Sequence, residues 1–196
     1  MPSKNVVKEY LENGIYHVYN RGINKSPIFT DEQDHIVFMH LLKTYLSPIT
    51  DPITKSKTPK TLHNEVLLLQ FCLMPNHFHL LIKQKTKEGM TKLMQKTCVA
   101  YAKYFNKKYE RVGHLFQGVY QAVRIKDDVQ FLQVSKYIHL NPIEIEKNLE
   151  KYKYSSYLEY IEIRKSLWVD TGIIMSCLKG QKYNEWISPP SRSDLS

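Results

Sequence analysis

Little in this sequence suits a membrane, an export route or a disulfide scaffold. The longest apolar stretch, Val66 to Met74, is broken by Gln70 and falls far short of the roughly 20 residues a bilayer-spanning helix needs. The opening MPSKNVVKEY holds no apolar segment of the signal-peptide kind, so export is not expected. Only three cysteines occur, Cys72, Cys98 and Cys177, and they form no CxxC pair, which fits a reducing compartment. The sequence also lacks a GxxxxGKS/T phosphate loop, an HExxH zinc motif, a GxSxG elbow and the H-x-E/CxxC set of zinc deaminases. A soluble cytoplasmic domain without ATP-driven chemistry is the expectation.

What is present is basic. Among 196 residues, 28 Lys and Arg oppose 19 Asp and Glu, for a net charge of +9, and 42% of residues are hydrophobic. That composition fits one globular domain with a polyanionic partner. The excess is concentrated: from Lys83 to Lys126 there are eleven basic residues against Glu88 and Glu110, while the rest of the chain carries 17 of each sign. Within this window the spacing predicts a helix over about Thr91–Tyr109, with Met94, Cys98, Tyr101, Ala102, Phe105 and Tyr109 on one face. Lys92, Lys96, Lys103 and Lys107 fall on the other, as a solvated face or as a strip for a phosphate backbone.

The remaining pattern reads as alternating strands and helices. GIYHVY (Gly14–Tyr19) has the alternation of a strand, closed by the turn Asn20-Arg21-Gly22. Asp31–Leu46 has helical apolar spacing with Thr30 or Asp31 as N-cap. Ser47–Asn64, with three prolines, reads as an exposed insertion loop. Two strands, Val66–Leu73 and His77–Lys83, are joined by Met74-Pro75-Asn76. The lysine-bearing helix follows, then a loop over Arg111–Gly118, a strand over Val119–Ile125, and a helix capped by Asp127 or Asp128 and stopped near Pro142. A tyrosine-rich helical segment is expected over 151–165 and a disordered tail over Ser188–Ser196. The order β-α-β-β-α-β followed by a helix predicts an α+β, ferredoxin-like antiparallel sheet. The expected organisation is a catalytic domain at 10–150, a helical extension at 151–187 and a tail at 188–196.

Two short patterns carry chemistry. In His77-Phe78-His79 the two imidazoles lie on one face of a strand, where they can chelate one metal ion, although a strand histidine is more often structural. Tyr137 and Asn141 are one helical turn apart, which also suits a core tyrosine near a C-cap asparagine. His17, His35, His40, His63 and His139 read as structural or exposed, and Tyr152, Tyr154, Tyr157 and Tyr160 as a packed face.

Together, Met74-Pro75-Asn76-His77-Phe78-His79 and Tyr137-Ile138-His139-Leu140-Asn141-Pro142 resemble the single-tyrosine HUH transposases (IS200-like), most closely the REP-associated tyrosine transposases. The resemblance runs from Gly14 to Tyr157 and includes Tyr19-Asn20-Arg21-Gly22, Gly113–Gly118 and Tyr154-Ser155-Ser156-Tyr157. It implies an endonuclease and strand transferase for hairpin-bearing single-stranded DNA. By position, His77, His79 and Asn141 would hold a divalent metal, Mn2+ or Mg2+, and Tyr137 would be the nucleophile. Imidazole donors argue for manganese over oxygen-seeking magnesium. A phenol, with an ordinary pKa near 10, needs a nearby cation or base to attack at neutral pH. Candidate DNA contacts are Arg21, Lys83, Arg111, His114, Gln117, Arg124 and Lys126; for Arg21 a plain turn role competes, and for His114 and Gln117 a loop-bracing one. Relatives carry basic residues where this chain has Val119 and Gln121, and a valine-arginine-alanine run where it has Ile143-Glu144-Ile145. A DNA-binding protein of this fold that does not cut, and a zinc hydrolase using His77 and His79, are the competing readings. The resemblance fits either a monomer or a homodimer exchanging its tyrosine helices.

Overall fold

The computed structural model describes residues 10–48 and 61–187; residues 49–60 of the expected insertion loop and the expected tail at 188–196 lie outside them. The sheet has four strands in the order β2-β3-β1-β4. These are β1 (Ile15–Arg21), β2 (Val66–Met74), β3 (His77–Gln84) and β4 (Gln121–Arg124), and every neighbouring pair is antiparallel. With α1 (Glu32–Leu46), α2 (Gly89–Lys108) and α3 (Asp128–Leu140), the α+β order is the expected one. No helix among the described residues is long and apolar enough to cross a membrane.

Strand alternation divides the molecule into two cores. On one face Tyr16, Val18, Phe78, Leu80 and Ile82 pack against Phe38 and Leu42 of α1 and Leu93, Met94, Tyr101 and Phe105 of α2. On the other, Leu81 and Cys72 pack beneath Phe131 and Ile138 of α3 and beneath the C-terminal residues Tyr157, Ile174 and Tyr183. Apolar burial of this kind contributes about 25 cal/mol per Å2, so α2 is held with its apolar stripe on the first face. Its lysines are consequently on the side of the sheet away from the histidines. Lys108 is engaged as well, in a salt bridge to Asp34 of 2.8 Å.

A bulge in β2 turns one polar residue inward. Leu68 pairs with Ile82 but Gln70 with Leu81, so Leu69 is the extra residue and Gln70 changes face. There its Nε2 bonds Ser135 Oγ (2.9 Å), His139 Nδ1 (3.2 Å) and Tyr183 Oη (2.8 Å). His139 Nε2 in turn meets Ser156 Oγ at 2.7 Å. This buried network fastens the helix carrying Tyr137 to the sheet and to the chain's C-terminal part.

The segment 151–165 departs from the helical expectation: it contains one helical turn, α4 (Tyr157–Tyr160). Its backbone bonds the free edge of β2 instead. Leu73 N–H donates to Tyr154 C=O (2.9 Å) and Ser156 N–H to Phe71 C=O (2.9 Å). The Tyr152 and Tyr160 hydroxyls donate to Leu73 and Leu69 carbonyls. Backbone groups used in this way cannot close helical i→i+4 bonds. Two short helices follow, α5 (Gly172–Cys177) and α6 (Tyr183–Ile187).

At the start of α1, Asp31 and Asp34 form a reciprocal capping box. The covered carboxylate of Asp34 also accepts from Lys108 (2.8 Å), Tyr104 (2.9 Å), Tyr109 (2.9 Å) and Thr30 N–H (2.8 Å). Burial alone would raise its pKa, but the bonds from Lys108, Thr30 N–H and the tyrosines outweigh it and hold the carboxyl below its ordinary value. Asp34→Asn should therefore lower stability at pH 7 by roughly 2–4 kcal/mol, since it leaves Lys108 underpaired. A depressed folded-state pKa gives stability that is present above the ordinary carboxyl value of about 4 and is lost as pH falls through the folded one. In urea unfolding, the gap between wild type and variant should shrink on acidification; a gap constant from pH 7 to pH 3 would refute this assignment.

Candidate active site

The site forms on the sheet face opposite α1 and α2. In β3 the period of two puts His77 and His79 on this face, and β1 pairs Arg21 with His77 and Tyr19 with His79. The β1 turn is tightly fixed: a Cβ on Gly22 would lie 2.0 Å from the Ser26 carbonyl oxygen, and Gly22 N–H donates to Asn76 C=O. α3 lies over the same face, beginning at an Asp127 N-cap and giving way after Leu140 to a short 3-10 turn with Pro142. It brings the half-exposed Tyr137 ring within 5.3 Å of the His79 ring, centroid to centroid, and 5.9 Å from that of His17. One turn on, Asn141 donates from its amide to the Tyr137 carbonyl (2.7 Å), and its side chain also bonds His77.

All three imidazoles are biased towards the neutral form. Burial pushes His17 down to about 4; burial, then the charges of His17 and His77, push His79 down to about 3. His77 is lowered by burial and by Arg21, against the opposing effects of Asn141 and Glu144. Neutral imidazoles are the ligating form. His77 Nδ1 meets Asn76 Oδ1 at 2.7 Å, while His79 Nε2 is buried with no hydrogen-bond partner. An orphaned buried nitrogen suits a metal donor, so the residues present fit a divalent ion held by His77, His79 and Asn141. Among the described residues, no three His, Cys, Asp or Glu side chains converge on one metal position.

A cleft of about 570 Å3 opens here, lined by Tyr19, Arg21, Lys25, His77, His79, Gln117, Gln121 and Tyr137, with Asn20 and Asn76. Of the candidate DNA contacts, Arg21 and Gln117 are in it, joined by a 2.6 Å bond from Arg21 Nε to Gln117 Oε1. Gln117 N–H also donates to Arg21 C=O, so the loop is tied to the end of β1. The others are elsewhere. Lys83 shares the histidine face but is six residues along β3, about 20 Å from His77. Arg111 folds back over the Phe105 ring, 5.6 Å away. Arg124 pairs with Tyr16 and so points to the opposite face. His114 and Lys126 are exposed outside the cleft.

The sequence pattern missed His17, Tyr19, Lys25 and Asn76 as parts of this site. His17 and Tyr19 had a usable signal, since they lie two residues apart on the strand face that also carries Arg21. Lys25 had none: it is positioned by a left-handed backbone (φ 60°), and its carbonyl accepts from Asn76 Nδ2.

The family model described as "Transposase IS200 like" matches residues 10–141. This chain belongs to the IS200-like transposase family. Among solved structures it is similar to a REP-associated tyrosine transposase bound to a REP hairpin, with 11% identity over 86% of this chain and 93% of that one and a TM-score of 0.59. A putative transposase from Deinococcus radiodurans R1 is 14% identical over 70% of this chain and 95% of that one, with a TM-score of 0.41. A search of curated proteins found no match.

Proposed function

We propose that this transposase is a cytoplasmic, metal-dependent endonuclease and strand transferase of single-stranded, hairpin-bearing DNA, of the REP-associated type. The observation that carries the reading is Tyr137 beside His79 in a cleft that also holds Arg21 and Lys25. The Tyr137 oxygen, losing its proton, attacks the scissile phosphorus; the P–O3′ bond breaks and the 3′ oxygen leaves as a hydroxyl after taking up a proton. The 5′ phosphate stays on Tyr137, so the ester is conserved and rejoining needs no nucleotide triphosphate. Arg21 and Lys25 attract the backbone, and Gln117 holds the Arg21 guanidinium in place. A divalent ion held by His77, His79 and Asn141 would polarise the scissile phosphate and offset charge building on its oxygens.

The test is incubation of the protein with hairpin oligonucleotides labelled at the 5′ or 3′ end, with Mn2+. A covalent adduct retaining the label on the 3′ side of the cut, and lost in EDTA, is expected. Binding without an adduct would favour the second reading, a hairpin-binding protein that does not cut. That reading has one observation of its own: Gln121, uncharged, lines the cleft at a position where the family resemblance implies a lysine.

A further inference from the structure

His17 stands beside the proposed metal site without belonging to it. Its Nε2 lies 2.9 Å from His79 Nδ1, with ring centroids 5.0 Å apart and the planes inclined by 27°. His17 is on β1 and His79 on β3, in register diagonally: His17 pairs with Leu81, and His79 with Tyr19. The contact therefore arises from strand pairing across 62 residues of sequence. Since its Nε2 already faces His79, and among the described residues no three His, Cys, Asp or Glu converge on one metal position, His17 is not placed as a ligand.

Two neutral imidazoles in contact share one proton between the facing nitrogens, and its direction decides the chemistry of the far nitrogen. If His17 Nε2–H donates, His79 carries its own proton on Nε2, which then cannot ligate and has no acceptor. If His79 Nδ1–H donates to the His17 lone pair, His79 Nε2, the buried nitrogen without a partner, keeps a lone pair with which it can ligate. Metal-binding histidines ordinarily donate their other N–H to a carboxylate, a carbonyl or water, which fixes tautomer and ring orientation. Here, among the described residues, the partner of His79 Nδ1 is an imidazole, that of His17.

We propose that His17 is a positioning residue that accepts the Nδ1 proton of His79 and thereby holds His79 Nε2 as the metal donor. The inference rests on the assignment of His79 as a ligand and adds what sets its ligating form. Removing the acceptor frees the His79 ring to rotate and to populate the wrong tautomer, so metal affinity falls although every ligand is still present. An acceptor of similar reach restores it.

The experiment uses the full-length protein and Mn2+ alone, without DNA. Nitrogen-15 imidazole spectra of the metal-free protein should show His79 protonated at Nδ1. Mn2+ titration followed by electron paramagnetic resonance should show affinity lowered about tenfold to a hundredfold in His17→Leu. His17→Gln, whose side-chain oxygen can accept the same bond, should keep wild-type affinity. Hairpin binding in EDTA monitors folding of both variants. Wild-type His79 protonated at Nε2 would overturn the proposal, even if His17→Leu proved unfolded. So would Mn2+ binding by His17→Leu equal to wild type, or equal losses in the Leu and Gln variants. Undiminished Mn2+ binding by His79→Ala would instead show the metal-site assignment to be wrong, and this inference would go with it.

Discussion

Tyr137→Phe should abolish the covalent protein–DNA adduct and lower cleavage at least about a thousandfold, while leaving hairpin binding and thermal stability near wild type. The size follows from the proposed role: deleting a nucleophile removes the reaction path itself, and the other groups of the site then contribute little on their own. The selectivity follows from the surroundings. Tyr137 is 52% exposed, and the hydrogen bond from Asn141 goes to its backbone carbonyl, which the substitution keeps. A half-exposed hydroxyl can be removed within about 0.5 kcal/mol of stability. Adduct yield on denaturing gels, with a melting curve and a gel-shift titration on the same preparations, separates these effects. An undiminished adduct would move the nucleophile elsewhere, and Tyr19 is the other tyrosine lining the cleft.

What the sequence made legible was whatever depends on local periodicity. The two-residue repeat puts His77 and His79 on one face, and the four-residue step does the same for Tyr137 and Asn141; neither needs knowledge of the rest of the fold. The β-α-β-β-α-β order likewise followed from local patterns. Features that depend on which strands pair were hidden. The closeness of His17 to His79 is a matter of β1–β3 register, and the inward turn of Gln70 comes from a bulge at Leu69 inside an otherwise even apolar run. Charge misled for a related reason. The basic excess lies between the histidine strand and the tyrosine helix in sequence, but the sheet separates its α2 lysines from the cleft. The positive charge at the site comes from the side chains of Arg21 and Lys25, at and just after the end of β1, a stretch with no unusual charge density.

Mixing Tyr137→Phe chains with His79→Ala chains should not restore cleavage. In a protein that exchanges its tyrosine helices, such a mixture recombines one intact histidine pair with one intact tyrosine. In this chain Tyr137 stands over the histidines of its own sheet, 5.3 Å from the His79 ring. The helix is held there by Ser135 and His139, both buried and both joined to Gln70 and Tyr183. Leaving would break all four bonds, and unless an identical helix took its place each group left without a partner would cost about 1–3 kcal/mol. The outer edge of β2 is also occupied: Leu73 N–H and the Phe71 and Leu68 carbonyls bond residues 154, 156 and 170, so a second sheet cannot add there without displacing them. Both devices use the C-terminal part of the chain, which makes the prediction sharp. Cleavage by the mixed variants at a level rising with protein concentration would show helix exchange and overturn it. Background cleavage at every concentration, with each variant still binding the hairpin, would show that one chain supplies the tyrosine and both histidines.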